Sequence, residues 1–122
     1  MVKAIRREDP RALLPLTPLT FQVLLALASG DLHGYGIIRH VETGTDRLIQ
    51  LRTGTLYTLL QRLLDEGLVE ESALRPEEGD DERRRYYRLT SFGREVLSSE
   101  ARRLDTLLRE ARRHRILGRA KT

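Results

Sequence analysis

Cysteine and tryptophan are absent from this 122-residue sequence, methionine occurs once, and aromatic residues make up only 5%. Without cysteine there is no disulfide, no thiolate metal site and no cysteine nucleophile. No apolar run approaches the roughly 18 residues that a membrane span requires. The opening stretch, residues 1–7, lacks the apolar segment and small-residue cleavage site of a secretory leader. Together these absences predict a cytoplasmic protein with no membrane partner. Catalytic constellations are also missing. His33 and His40 share a helix face with only Glu42 nearby, and no paired acids or nucleophile–base pair accompany them. The expectation is therefore no enzyme, no metal and no cofactor.

What is present suffices for one modest core, since apolar residues make up 39% of the chain. The net charge of +4 invites a nucleic-acid partner. Its distribution weakens that argument. Residues 101–122 hold eight Lys/Arg against two Asp/Glu, leaving the first 100 residues with 14 basic and 16 acidic side chains. The basic character describes a tail, so pattern must carry the functional reading.

Along the chain, residues 1–16 read as an N-terminal arm, in which 11–14 can form a short turn. Thr17 as N-cap with Pro18 behind it starts a helix over about 17–29, and Gly30 stops it. A second helix spans about 34–43 and ends at Gly44. Residues 48–52 alternate weakly, like a short strand. The third helix is the clearest: Thr53 caps it, and Leu56, Leu59, Leu60, Leu63 and Leu64 follow helical spacing to a stop at Gly67. Two strand candidates, 68–74 and 84–89, flank the turn-rich acidic stretch 75–82. Thr90 then caps a long helix over about 91–114. The order of three helices, a two-stranded hairpin and a helix predicts a mainly α fold, a winged helix-turn-helix with an added C-terminal helix. The expected layout is an arm at 1–16, a winged domain at 17–90, a dimerisation helix at 91–117 and a flexible tail at 118–122.

At 100° per residue, the five leucines of the third helix cluster within about 80° of one direction. Thr58, Gln61 and Arg62 point the other way, with Thr55 and Tyr57 on the flanks. In a helix-turn-helix such residues at the N-terminal part of the third helix meet base edges. Gln pairs with adenine, Arg with guanine, and Thr bonds a base or touches a thymine methyl. The helix start at Thr53 favours a phosphate, and Gly54 leaves room for the DNA backbone. On the wing, Arg84 and Arg88 alternate onto one side with Tyr86, while Tyr87 and Leu89 face the core. Arg84, Arg85 and Arg88 are candidates for phosphate contact. A solvated polar face is the competing account of the third helix, and a winged helix that binds protein instead of double-stranded DNA suits the negative first 100 residues.

Several segments resemble the PadR family of repressors: Leu51-Arg52-Thr53-Gly54-Thr55-Leu56-Tyr57, then Leu60, Leu63 and Glu66-Gly67-Leu68-Val69. The same holds for His33-Gly34-Tyr35-Gly36 and for Arg84-Arg85-Tyr86-Tyr87-Arg88-Leu89-Thr90 leading to Gly93. The resemblance runs from about Leu16 to Leu117. It implies a winged helix, a C-terminal helix that dimerises, promoter binding as a repressor, and DNA contacts from Thr55 and Tyr57. The chain departs from the family's pattern at Gly36, where Glu is common, and in its acidic wing tip. Some members take aromatic or drug-like effectors near the dimer interface. With so few aromatics here, a stacking pocket is not supported and no effector is named.

The last helix carries its own pattern. Leu97, Ala101, Leu104, Leu108 and Ala111 are spaced four, three, four and three, which predicts a coiled-coil seam and a homodimer. Phe92, Val96 and Leu107 form a second edge that faces the winged domain.

Overall fold

Thr17 and Pro18 start the first helix as their chemistry dictates. The Thr17 hydroxyl accepts from the Thr20 amide at 3.1 Å, and the proline occupies a position whose N–H would have no partner. A computed structural model of the chain describes residues 9–73 and 84–118. In it α1 (Pro18–Ala28), β1 (Leu32–His33), α2 (Gly34–Gly44), α3 (Thr53–Asp65), β2 (Val69–Glu71), β3 (Tyr86–Leu89) and α4 (Ser91–Arg113) follow one another. A short 3-10 turn, Pro10–Leu13, precedes them and lies along α4. The end of the first expected wing strand at Leu74, the acidic stretch 75–82, Arg83 and tail residues 119–122 lie outside the described residues.

The wing is larger than a hairpin. β1 joins it, giving a three-stranded antiparallel sheet with β3 in the middle, and Leu32 pairs with Tyr87. This corrects the expected facing of the tyrosines. Tyr87 and Tyr86 are both buried, because β1 adds a second cover and the His33 ring meets Tyr86 edge-on at 5.3 Å. The strand expected at 48–52 does not form. The Ile49 and Leu51 amides bond the Thr45 hydroxyl and the Glu42 carboxylate, so no strand partner receives them. Asp46 and Arg47, both at positive φ, turn the chain from α2 toward α3.

Leu56, Leu59, Leu60 and Leu63 of α3 are buried against α1, α2 and the sheet. Burying each is worth about 1.5–3 kcal/mol before entropy is counted. α3 closes with a Schellman arrangement: the Leu68 amide returns to the Leu63 carbonyl at 2.9 Å and the Gly67 amide to Leu64 at 3.1 Å. Gly67 adopts φ +78 there, a conformation that glycine takes without steric cost. At the start of α3 the cap is Arg52 without a side-chain hydrogen bond, and Thr53 is already helical. The expected Thr53 cap is therefore corrected by one residue.

Thr90 caps α4, accepting from the Gly93 amide at 2.9 Å and donating to the Gly67 carbonyl at 2.6 Å. It thereby ties the end of α3 to the start of α4. Val96 and Leu97 then enter the same core as α1 and α3.

Candidate nucleic-acid interface

Burying one leucine face of α3 forces its opposite face outward. Thr53, Gly54, Thr55, Tyr57, Thr58, Gln61 and Arg62 are all exposed. They form a ridge with a groove on each side. The groove toward α1 encloses about 610 Å³ and is lined by Thr17, Thr20, Gly54, Thr55, Thr58 and Arg62 among others. The groove toward the sheet encloses about 640 Å³, and Tyr57, Gln61, Glu71, Arg84 and Arg85 contribute to its walls.

Three of the polar side chains on the ridge meet defined neighbours. Tyr57, 45% exposed, lies over the start of α2, where Gly34 leaves space for its ring. Gln61 donates from Nε2 to Asp65 at 3.2 Å, one turn further along. Arg62 turns away from the middle of the ridge and donates from Nη2 to the Thr20 hydroxyl of α1 at 3.0 Å. The sequence places Arg62 among base-reading residues, and this bond moves it to the flank.

The wing arginines divide. Arg84 and Arg85 line the sheet-side groove; Arg84 Nη1 lies 3.2 Å from His33 Nε2, and Arg85 donates to Glu71 at 3.2 Å. Arg88 donates to its cross-strand partner Glu70 at 2.8 Å and lines neither groove. Strand alternation puts Arg88 on the sheet face opposite Arg85 and Tyr87. The structure thus brings Arg84 and Arg85 to α3 and leaves Arg88 apart. Exposed pairs of this kind are worth about 0–1 kcal/mol, so a phosphate can displace the glutamates. The sheet-side wall also includes Tyr87, whose phenol is pushed above the usual tyrosine range, first of all by burial.

On α4 the seam read from the sequence splits in two. Leu97 is buried in the core of the winged domain and is not available to a second copy. Leu104 and Ala111 are half-buried, Ala101 is exposed, and Leu108 is 46% exposed. Leu107, assigned from the sequence to the edge facing the winged domain, is 48% exposed, because α4 extends past that domain at this point.

Three residues with structural roles escape a reading of the sequence. His33 caps α2, its Nδ1 accepting from the Gly36 amide at 3.1 Å. The fit to His-Gly-Tyr-Gly was the only available signal. Thr20 and Glu100 are buried polar residues that, beside local partners in Thr17 and Arg103, bond Arg62 and the Leu16 amide from far away in the chain.

Residues 23–99 match the transcriptional regulator PadR-like family. The chain belongs to this family. An uncharacterised protein from Lysinibacillus sphaericus is 33% identical over 76 residues, 62% of this chain and 68% of its own. RosR of H. salinarum, solved in a complex, is 28% identical, with TM-score 0.65 over 88% of this chain and 90% of that one. A PadR-like regulator from Bacillus cereus superposes with TM-score 0.67 at 21% identity, covering 83% and 93% of the two chains. Bacillus subtilis PadR in complex with operator DNA gives TM-score 0.57 at 24% identity, over 70% of this chain and 47% of that one. The two Bacillus structures share the fold, and with it the winged-helix assignment of this PadR-like regulator. Among the described residues no helix is long and apolar enough to cross a membrane.

Proposed function

We propose that this PadR-like regulator is a repressor that binds a two-fold-symmetric promoter site as a homodimer, with α3 in the major groove. The observation that carries this reading is the ridge of α3, whose crest from Thr55 to Gln61 carries neutral hydrogen-bonding groups and is flanked by arginines in the grooves on either side. A helix in the major groove has bases before it and a phosphate strand to each side, so this arrangement matches the ligand's chemistry. The operator complex of Bacillus subtilis PadR supports the choice of partner.

Thr55, Tyr57, Thr58 and Gln61 meet base edges. Thr53 and Gly54 admit a phosphate at the start of α3, where no side chain caps the helix. Arg84 and Arg85 meet phosphates from the wing once they release their protein partners, and Arg88 has the smaller part. Two protomers join through the C-terminal half of α4, where Leu104, Leu107, Leu108 and Ala111 lie. The protein works in the cytoplasm, where its DNA is. Gel shifts on the DNA upstream of its own gene test the recognition. Gln61→Ala is expected to cost about 1–3 kcal/mol at the matched base and to relax preference there. Unchanged affinity and base preference in both Gln61→Ala and Tyr57→Phe contradict the assignment.

A further inference from the structure

We infer that Thr20 is a positioning residue for DNA binding: it holds the Arg62 guanidinium on the α1 flank of α3, where it meets a phosphate and no base. The inference rests on the DNA-binding reading above. Thr20 is 3% exposed, the one polar side chain among the buried residues of α1. Its hydroxyl oxygen accepts twice, from the Thr17 hydroxyl at 2.9 Å and from Arg62 Nη2 at 3.0 Å. A hydroxyl oxygen has two acceptor lone pairs, and both are used. Thr17 is fixed in turn, because its oxygen accepts from the Thr20 amide as the cap of α1. Burial, a β-branched side chain and the cap together make Thr20 a rigid anchor.

Arg62 reaches the α1-side groove with its charge uncancelled. Arg85, Arg88, Arg103 and Arg109 each meet a carboxylate. Among the described residues Arg62 meets the neutral Thr20 hydroxyl and no carboxylate. A hydroxyl orients a guanidinium without cancelling its charge. It also removes rotamer freedom before DNA arrives, so less is lost on binding. Arg62 borders the groove formed with Thr17, Gly54, Thr55 and Thr58, and its guanidinium has further N–H donors beyond the one that Thr20 takes. That groove lies beside the crest of α3, where a phosphate strand runs when the helix sits in the major groove.

The test is an anisotropy titration with two duplexes, one from immediately upstream of the protein's own gene and one of the same composition scrambled. Each is run over about 50 to 200 mM salt. Arg62→Ala is expected to weaken both duplexes by similar factors and to lower the log–log salt slope by about 0.9, the signature of one lost phosphate contact. Thr20→Val removes the hydroxyl at nearly constant shape and is expected to weaken both about threefold to tenfold. Thr20→Ser restores binding. In an Arg62→Ala background Thr20→Val adds nothing further, a result that a purely structural role for Thr20 does not produce. Equal losses from Thr20→Val in the two backgrounds overturn the inference, as does an Arg62→Ala loss confined to one base position with the salt slope unchanged. A native chain that binds neither duplex instead removes the DNA-binding reading itself.

Discussion

Gly93 and Gly34 each leave out a side chain that a neighbour would meet, and the nature of the neighbour sets the consequence. A methyl group at Gly93 runs into the Leu68 carbonyl, with the carbonyl carbon 2.9 Å away, and backbone cannot step aside cheaply. Gly93→Ala is expected to destabilise the fold by about 1–3 kcal/mol or more, read as a lower urea midpoint. At Gly34 the obstacle is the phenol end of Tyr57, which can rotate. Gly34→Ala is therefore expected to leave the midpoint nearly unchanged while displacing Tyr57 and weakening DNA binding. Glu100 has a pH signature. Its side chain is buried, yet Arg103 bonds both carboxylate oxygens, at 2.6 and 2.9 Å, and the Leu16 amide adds a third bond at 3.0 Å. The Arg103 bonds, helped by that amide, hold the carboxyl below the usual glutamate range despite the opposing effect of burial. A carboxyl with a depressed folded pKa stabilises the protein above its unfolded value, and that contribution fades as pH falls toward the folded one. Glu100→Gln is expected to lower stability near neutral pH and to flatten the loss below about pH 4.5, measured as urea midpoints across that range. Equal acid sensitivity of the two proteins contradicts this role.

Along α4 a single period of leucines serves two purposes, and substitutions separate them. Leu97→Ala opens a cavity in the winged domain and is expected to cost about 2–5 kcal/mol of stability. Leu108→Ala removes a side chain that is 46% exposed in the protomer, so it is expected to weaken self-association with little effect on the fold. Sedimentation at about ten micromolar beside urea unfolding distinguishes the two. A Leu108→Ala protein that associates like the native chain contradicts the seam. The leucine period made α3 and α4 legible in the sequence, and Thr17, Thr90 and Gly67 marked ends of helices by local chemistry. A period does not say which partner covers a face, which is why Leu97 and Leu107 exchanged expected environments. β1 has two residues, too few for alternation to register, so the sheet read as a hairpin. The weak alternation at 48–52 had a strand's pattern, but Thr45 and Glu42 took its amides. The bond from Arg62 to the Thr20 hydroxyl was not legible, because Thr20 lies 42 positions earlier in the chain.

Taken whole, the molecule does not show its function through its net charge. Residues 101–122 carry the basic excess, whereas the crest of α3 is neutral from Thr55 to Gln61, with arginines on its flanks. Binding to such a surface depends on shape and on hydrogen bonds to bases as well as on charge, and a dimer doubles the contact. Nuclease footprinting of the DNA upstream of the protein's own gene tests that account most directly. Two copies of α3 related by a two-fold axis are expected to protect a symmetric site whose half-site centres lie about 10 base pairs, or a multiple, apart. Protection is expected to be lost with Tyr57→Phe combined with Gln61→Ala. An unsymmetrical footprint at concentrations where the protein is dimeric, or no protection up to about ten micromolar, where even weak non-specific binders engage DNA, contradicts it.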